Sequence, residues 1–131
     1  MPQIFTRAEA EMLLPQLAPP LRDLQVLWGE LVDATTASAM LRQRMIGDGH
    51  IHFDEITALT QRVEVKRQQV AELVSRIRAF GCELKDPRIG LIDFPSQMFG
   101  RVVYLCWRLG EPRISWWHDL DGGFQGRQPI D

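Results

Sequence analysis

The sequence predicts an α+β fold. A short N-terminal helix and a long antiparallel α-helical hairpin precede a small antiparallel three- to four-stranded β-meander. Three observations carry this. Apolar residues recur at 3,4 spacing between positions 21 and 80, Gly81 ends that pattern, and short β-branched and aromatic runs separated by turn sequences follow it. The 131 residues, 45% hydrophobic and 24% charged, suit one domain spanning 1–131, helical over 1–81 and a β-meander with a Gly-rich tail over 82–131.

The first helix opens on a capping box, Thr6-Arg7-Ala8-Glu9, in which the Thr6 hydroxyl accepts from the Glu9 N–H and Glu9 reaches back. Pro15 disfavours helical geometry at Leu14, and Pro19-Pro20 marks a new start. Leu21, Leu24, Trp28, Leu31, Thr35, Ser38 and Met45 then give one amphipathic face, stopped by Gly47-Asp48-Gly49. Ile56, Leu59, Val63, Lys66, Val70, Leu73, Ile77 and Phe80 give the second, with Gly81 placed as the residue after the helix end. The short connection folds the two helices back on each other as a coiled-coil-like hairpin. Lys66 interrupts the seam opposite Ala34 and Thr35, where it either pairs with Asp33 or extends to solvent, the latter being favoured.

Ile89–Phe94, Arg101–Trp107 and Ile114–His118 are the expected strands, with Cys82–Lys85 as a further edge strand. Residues 95–100 and Leu109-Gly110-Glu111-Pro112 are the expected connections. A tight turn at 109–112 pairs Trp107 with Ile114, Leu105 with Trp116, Tyr104 with Trp117 and Val103 with His118. That register puts His118 and Trp116 on the core face and leaves Trp117, Tyr104, Cys106 and Arg108 on an amphipathic face open for binding.

Composition excludes several functions. The net charge is −2, divided evenly between the helical and β parts, so nucleic acid is not indicated as a partner. No apolar run approaches a membrane span, and Met1 to Ala10 carries no signal-peptide pattern, so neither a membrane anchor nor secretion is expected. Two cysteines, Cys82 and Cys106, are too few for a disulfide framework and suggest free thiols in a cytoplasmic compartment.

Candidate chemistry clusters near the C-terminus. Histidine is the side chain suited to proton transfer near neutral pH, so His118 could act as a general base oriented by Asp119 or Asp121, with Asp93 and Arg108 as further catalytic candidates. His118, Asp121 and Asp93 are candidate ligands for a divalent metal, a cofactor not favoured because no defined ligand spacing is present. The simpler alternative, a structural histidine bonded to a nearby aspartate, is preferred over both. Gly122, Gly123 and Arg127, with Trp117, could bind an anion or nucleotide, although the phosphate-loop context is missing. Cys106, mid-strand, is expected to be inert packing. His50 and His52 with Asp54 form a weaker metal candidate at the hairpin tip.

Several stretches resemble one family: Phe5-Thr6-x-x-Glu9-Ala10-x-x-Leu13-Leu14-Pro15, Gly81–Asp86, Gly90–Pro95, Tyr104–Pro112 and, most specifically, Trp117-His118-Asp119-Leu120-Asp121-x-Gly123-Phe124-x-Gly126-Arg127-Gln128-Pro129-Ile130. The chain is similar there to a small uncharacterised bacterial family, domain of unknown function twenty-two-oh-three, sometimes labelled division-initiation-like. The resemblance covers nearly the whole chain except the tip near His50. It implies a bacterial cytoplasmic protein and transfers no activity, cofactor or catalytic residue. The leading expectation is a non-enzymatic binding or assembly module. It would act through the helical hairpin and an aromatic sheet surface, with a protein partner or a second copy in a homodimer. The alternatives are a small metal-dependent or acid/base hydrolytic enzyme around His118, and anion or nucleotide binding by the C-terminal loop.

Overall fold

A computed structural model describes residues 3–48 and 53–131. Helix α1 (Arg7–Asp48) and helix α2 (Phe53–Arg78) precede strands β1 (Glu83–Asp86), β2 (Leu91–Met98), β3 (Arg101–Arg108), β4 (Trp116–His118) and β5 (Gln128–Pro129). The strands form one antiparallel sheet in the order β1-β2-β3-β4-β5. The α+β class and the helical hairpin are as the sequence predicts, and β5 is a strand within the segment read as tail.

The capping box forms as expected: Glu9 N–H donates to Thr6 Oγ1 at 3.1 Å, and Thr6 N–H donates to Glu9 Oε1 at 2.8 Å. At the far end of α2, Gly81 adopts φ 98°, a conformation costly for a residue with a Cβ.

The expected break between a short first helix and the hairpin does not occur. Helix α1 is continuous through Pro15, Pro19 and Pro20. Each proline forfeits one intrahelical bond, but Pro15 and Pro19 face solvent, while Ala10, Leu14, Leu17, Leu21 and Leu24 remain buried along the opposite side. Continuous burial of that stripe outweighs the lost bonds.

Pro95 likewise fails to end a strand, and β2 runs past it to Met98. The Pro95 carbonyl accepts the Phe5 N–H at 2.7 Å, on the side of β2 beyond the end of β1. Its missing N–H lies on that same side, so no bond to β3 is lost. The Phe99-Gly100 turn, with φ 56° and 74°, closes the β2–β3 hairpin as a two-residue connection.

The β3–β4 register is one residue away from the expected one: Tyr104 opposes His118, Leu105 opposes Trp117 and Cys106 opposes Trp116. The connection is not a tight turn. Ile114 leaves the ladder, its carbonyl accepting from Arg7 Nε at 2.8 Å and its N–H donating to Glu11 Oε1 at 3.3 Å. The extra residue taken up there exchanges the faces of β4. Trp117 joins Ile92, Phe94, Val103, Leu105 and Trp107 in the core against the helices, and His118 turns to the opposite face. The expected open aromatic surface is therefore absent. Trp107 and Trp117 are buried, and Arg127 lies over the Trp116 ring at 5.0 Å.

The core cluster ends at Leu31 on α1 and begins at Val70 on α2. Beyond those points the helices continue for about 25 Å as a two-helix arm, in which Ala34 and Leu41 are the only buried hydrophobic residues among those described. Lys66 pairs there with Glu30 (3.1 Å), and neither with Asp33 nor with solvent alone as the favoured reading had it; the longer Glu30 stem reaches across one turn before Asp33. His50 and His52 lie outside the described residues, and Asp54 sits in the first turn of α2.

Candidate functional site

The sheet face turned away from the helices carries a buried polar cluster. Asp93 on β2 pairs in register with Cys106 on β3, so both side chains share that face. His118 arrives beside them from β4 because of the one-residue shift. Their exposures are 1%, 0% and 2%.

Hydrogen bonding fixes the imidazole. His118 Nδ1 lies 2.7 Å from the Asp119 carbonyl oxygen, an acceptor only, so Nδ1 carries a proton and donates. Nε2 lies 2.9 Å from Asp93 Oδ2. One proton occupies that contact, between the imidazole nitrogen and the carboxyl oxygen. Burial raises the Asp93 carboxyl above the ordinary carboxylate range, against the opposing pull of His118 and of the Cys106 thiol. Asp93 Oδ1 is buried without a nitrogen or oxygen donor.

Burial also pushes the Cys106 thiol up to about 12, and the nearby Asp93 carboxylate adds to the effect. It is a protonated thiol. With one imidazole nitrogen on the Asp119 carbonyl and the other on Asp93, none is left to take the Cys106 proton, so the arrangement is not a thiol–imidazole nucleophile. Cys82, also free and buried, is likewise pushed up to about 12 by desolvation.

A second set of residues covers the cluster. The Tyr104 ring packs on the His118 ring at 5.5 Å, and hydrogen bonding to Glu83 with partial burial pushes its phenol up to about 12. A β-bulge between Leu84 and Asp86 turns Lys85 over the Tyr104 ring, Nζ 4.9 Å from its centroid. On the other flank, Arg127 lies between the Trp116 and Phe124 rings, pairs with Glu111 Oε1 at 2.6 Å and donates to the Cys106 carbonyl at 3.4 Å. The cluster is closed. The cleft between α1 and the β3–β4 connection is lined by Glu11, Arg22, Trp107, Glu111 and Arg113, and reaches the cover of the cluster only through Glu111.

Of the sequence candidates, Asp93 and His118 meet directly and Arg127 lies alongside. Asp119 contributes its backbone oxygen, while its carboxylate pairs with Arg101 at 2.9 Å. Arg108 is exposed at the end of β3, and Asp121 is exposed in the loop outside the Asp93–Cys106–His118 group. Trp117 is on the core face. Gly122 N–H donates to the Asp119 carbonyl, and Gly123, at φ 63°, accepts from Gly126 N–H, so the loop uses backbone groups for its own turns. Sequence reading missed Cys106 as a partner of this cluster, and also Tyr104, Glu83, Lys85 and Glu111. A two-residue turn at Phe99-Gly100 would have paired Asp93 with Cys106, but Pro95 concealed it.

The family model described as "Uncharacterized conserved protein (DUF2203)" matches residues 3–130. The chain belongs to that family. No curated protein and no solved structure matches it. Among the described residues, no helix is long and apolar enough to cross a membrane.

Proposed function

We propose that this family member is an assembly module whose helical hairpin pairs with a second copy of itself. The observation that carries this is the charge pattern along one side of the hairpin. Two hollows adjoin there over about 21 Å of helix, one lined by Asp23, Val26, Leu27 and Arg76, the next by Glu30, Asp33, Ala34, Ala37, Ala58, Arg62, Val65 and Lys66. The floor is small and apolar. The α1 rim is acidic (Asp23, Glu30, Asp33), and the α2 rim is basic (Arg62, Lys66, Arg76) with Glu72 as the exception.

Such a groove is self-complementary in only one sense. A two-fold axis parallel to the hairpin lays α1 of one copy over α2 of the other, acid against base, with antiparallel neighbours as in a four-helix bundle. A two-fold running across the groove would stack α1 on α1 and oppose like charges. The first arrangement also covers Val65, which is 53% exposed, and Val26, which is 65% exposed.

In that dimer Asp33 lies at the level of the other copy's Arg62 and Lys66. Asp33→Lys and Arg62→Glu are each expected to weaken self-association about tenfold, two contacts each losing roughly 0.7 kcal/mol. An equimolar mixture of the two variants should form a heterodimer of near wild-type affinity. Sedimentation equilibrium reads all three. A wild-type chain that stays monomeric at high micromolar concentration, or variants that associate as tightly as wild type, would refute this function.

A further inference from the structure

We propose that Asp93, Cys106 and His118 form a binding site for a divalent transition ion of the zinc class. The oxygen, sulfur and nitrogen that these residues offer lie within 4.8 Å of one another, and all three residues are buried. They come from three adjacent strands of a rigid sheet, so their spacing is set by ladder register and not by a mobile loop.

Two independent features point to an ion. Asp93 Oδ1 is a buried carboxyl oxygen with no nitrogen or oxygen donor, the weak Cys106 thiol being the remaining donor on the Asp93 carboxyl, an arrangement that costs free energy unless something stronger binds it. His118 donates its Nδ1–H to the Asp119 carbonyl at 2.7 Å, which directs the Nε2 lone pair into the cluster. Metal-ligating histidines are commonly oriented by this kind of second bond.

Ligand chemistry selects the ion. A thiolate and an imidazole disfavour magnesium and calcium, which take oxygen ligands, and suit zinc, cobalt or a related ion. Tetrahedral bonds of about 2.0–2.1 Å hold ligand atoms roughly 3.3 Å apart. The 2.9 Å contact between His118 Nε2 and Asp93 Oδ2 must therefore open slightly, or Oδ1 must serve as the ligand. Binding expels two protons to solvent, the Cys106 thiol proton and the one between Asp93 and His118. The site is independent of the hairpin groove and stands or falls separately from dimer formation.

Full-length protein, purified without an affinity tag and treated with chelator, is titrated with Co2+. One equivalent should bind with thiolate-to-cobalt charge-transfer absorption. That absorption should vanish in Cys106→Ser and persist in Cys82→Ser, and His118→Gln should weaken binding at least about a hundredfold. Absorption that never appears, or that survives Cys106→Ser, overturns the site. Wild-type protein with one equivalent of Zn2+ gives a readout free of any folding defect. X-ray absorption should show one sulfur at about 2.3 Å and nitrogen or oxygen neighbours at about 2.0–2.2 Å. A shell without sulfur, or with two sulfurs, also overturns it.

Discussion

Asp93→Ala is expected to destabilise the metal-free fold by about 3 kcal/mol, read by urea denaturation. The carboxyl group occupies a site where His118 has no other partner for Nε2. Deleting it leaves a buried polar nitrogen unpaired, at 2% exposure, with little access for water to replace the bond. Replacing both partners by apolar groups of similar shape, Asp93→Leu with His118→Phe, removes the unpaired atom as well and should recover most of the loss. The Asp93 carboxyl should also shape the pH profile. Burial raises the Asp93 carboxyl in the folded chain, so between the unfolded value near 4 and the folded value the native state holds more protons. Its contribution is therefore full below about pH 4 and is lost as pH rises through the folded value. In chelator-treated protein, wild type should lose stability relative to Asp93→Asn across that window.

Phe94→Ala is expected to cost about 4 kcal/mol. Phe94 is fully buried, faces Leu105 across the ladder and meets Phe5 edge-on, with ring centroids 5.2 Å apart at 75°. The ring lies beside the seam that ties the N-terminal segment to the sheet, where Phe5 N–H donates to the Pro95 carbonyl and Ser96 Oγ donates to the Phe5 carbonyl at 2.6 Å. Loss of the ring leaves a cavity and loosens that seam. Amide exchange at Phe5 should quicken along with the drop in global stability. Phe99→Ala serves as the contrast. That ring is 69% exposed, and its removal should cost less than about 1 kcal/mol.

The features legible in the sequence were those decided locally. The Thr6/Glu9 box, Gly81 as terminator and the 3,4 repeat of α2 each depend on neighbours within a few positions, and each appears as expected. The errors came where distant partners outweighed local preference. Burial of Leu14, Leu17, Leu21 and Leu24 carries α1 through three prolines. A bond from Phe5 occupies the edge that makes Pro95 tolerable in β2. Glu11 and Arg7 take Ile114 out of the ladder and so shift the β4 register. That single shift moved Trp117 into the core and brought His118 to Asp93 and Cys106. Asp93 and His118 were named together from the sequence, but Cys106 as their partner was hidden, because the three converge through two registers and a proline exception, with no spacing of their own along the chain.

Self-association through one face of the hairpin is tested most directly by a distance between copies. Ile46, 86% exposed toward the free end of the arm, takes a spin label through Ile46→Cys, while Cys82 and Cys106 are buried from the reagent. With the two-fold parallel to the hairpin, both arms point the same way, and pulsed electron resonance should give a label separation below about 25 Å, the width of two adjacent hairpins. A two-fold across the groove would separate the labels by about 50 Å, since Ile46 lies 16 residues beyond Glu30. A distance near 50 Å, or no coupling between copies, would contradict the assembly proposed for this protein.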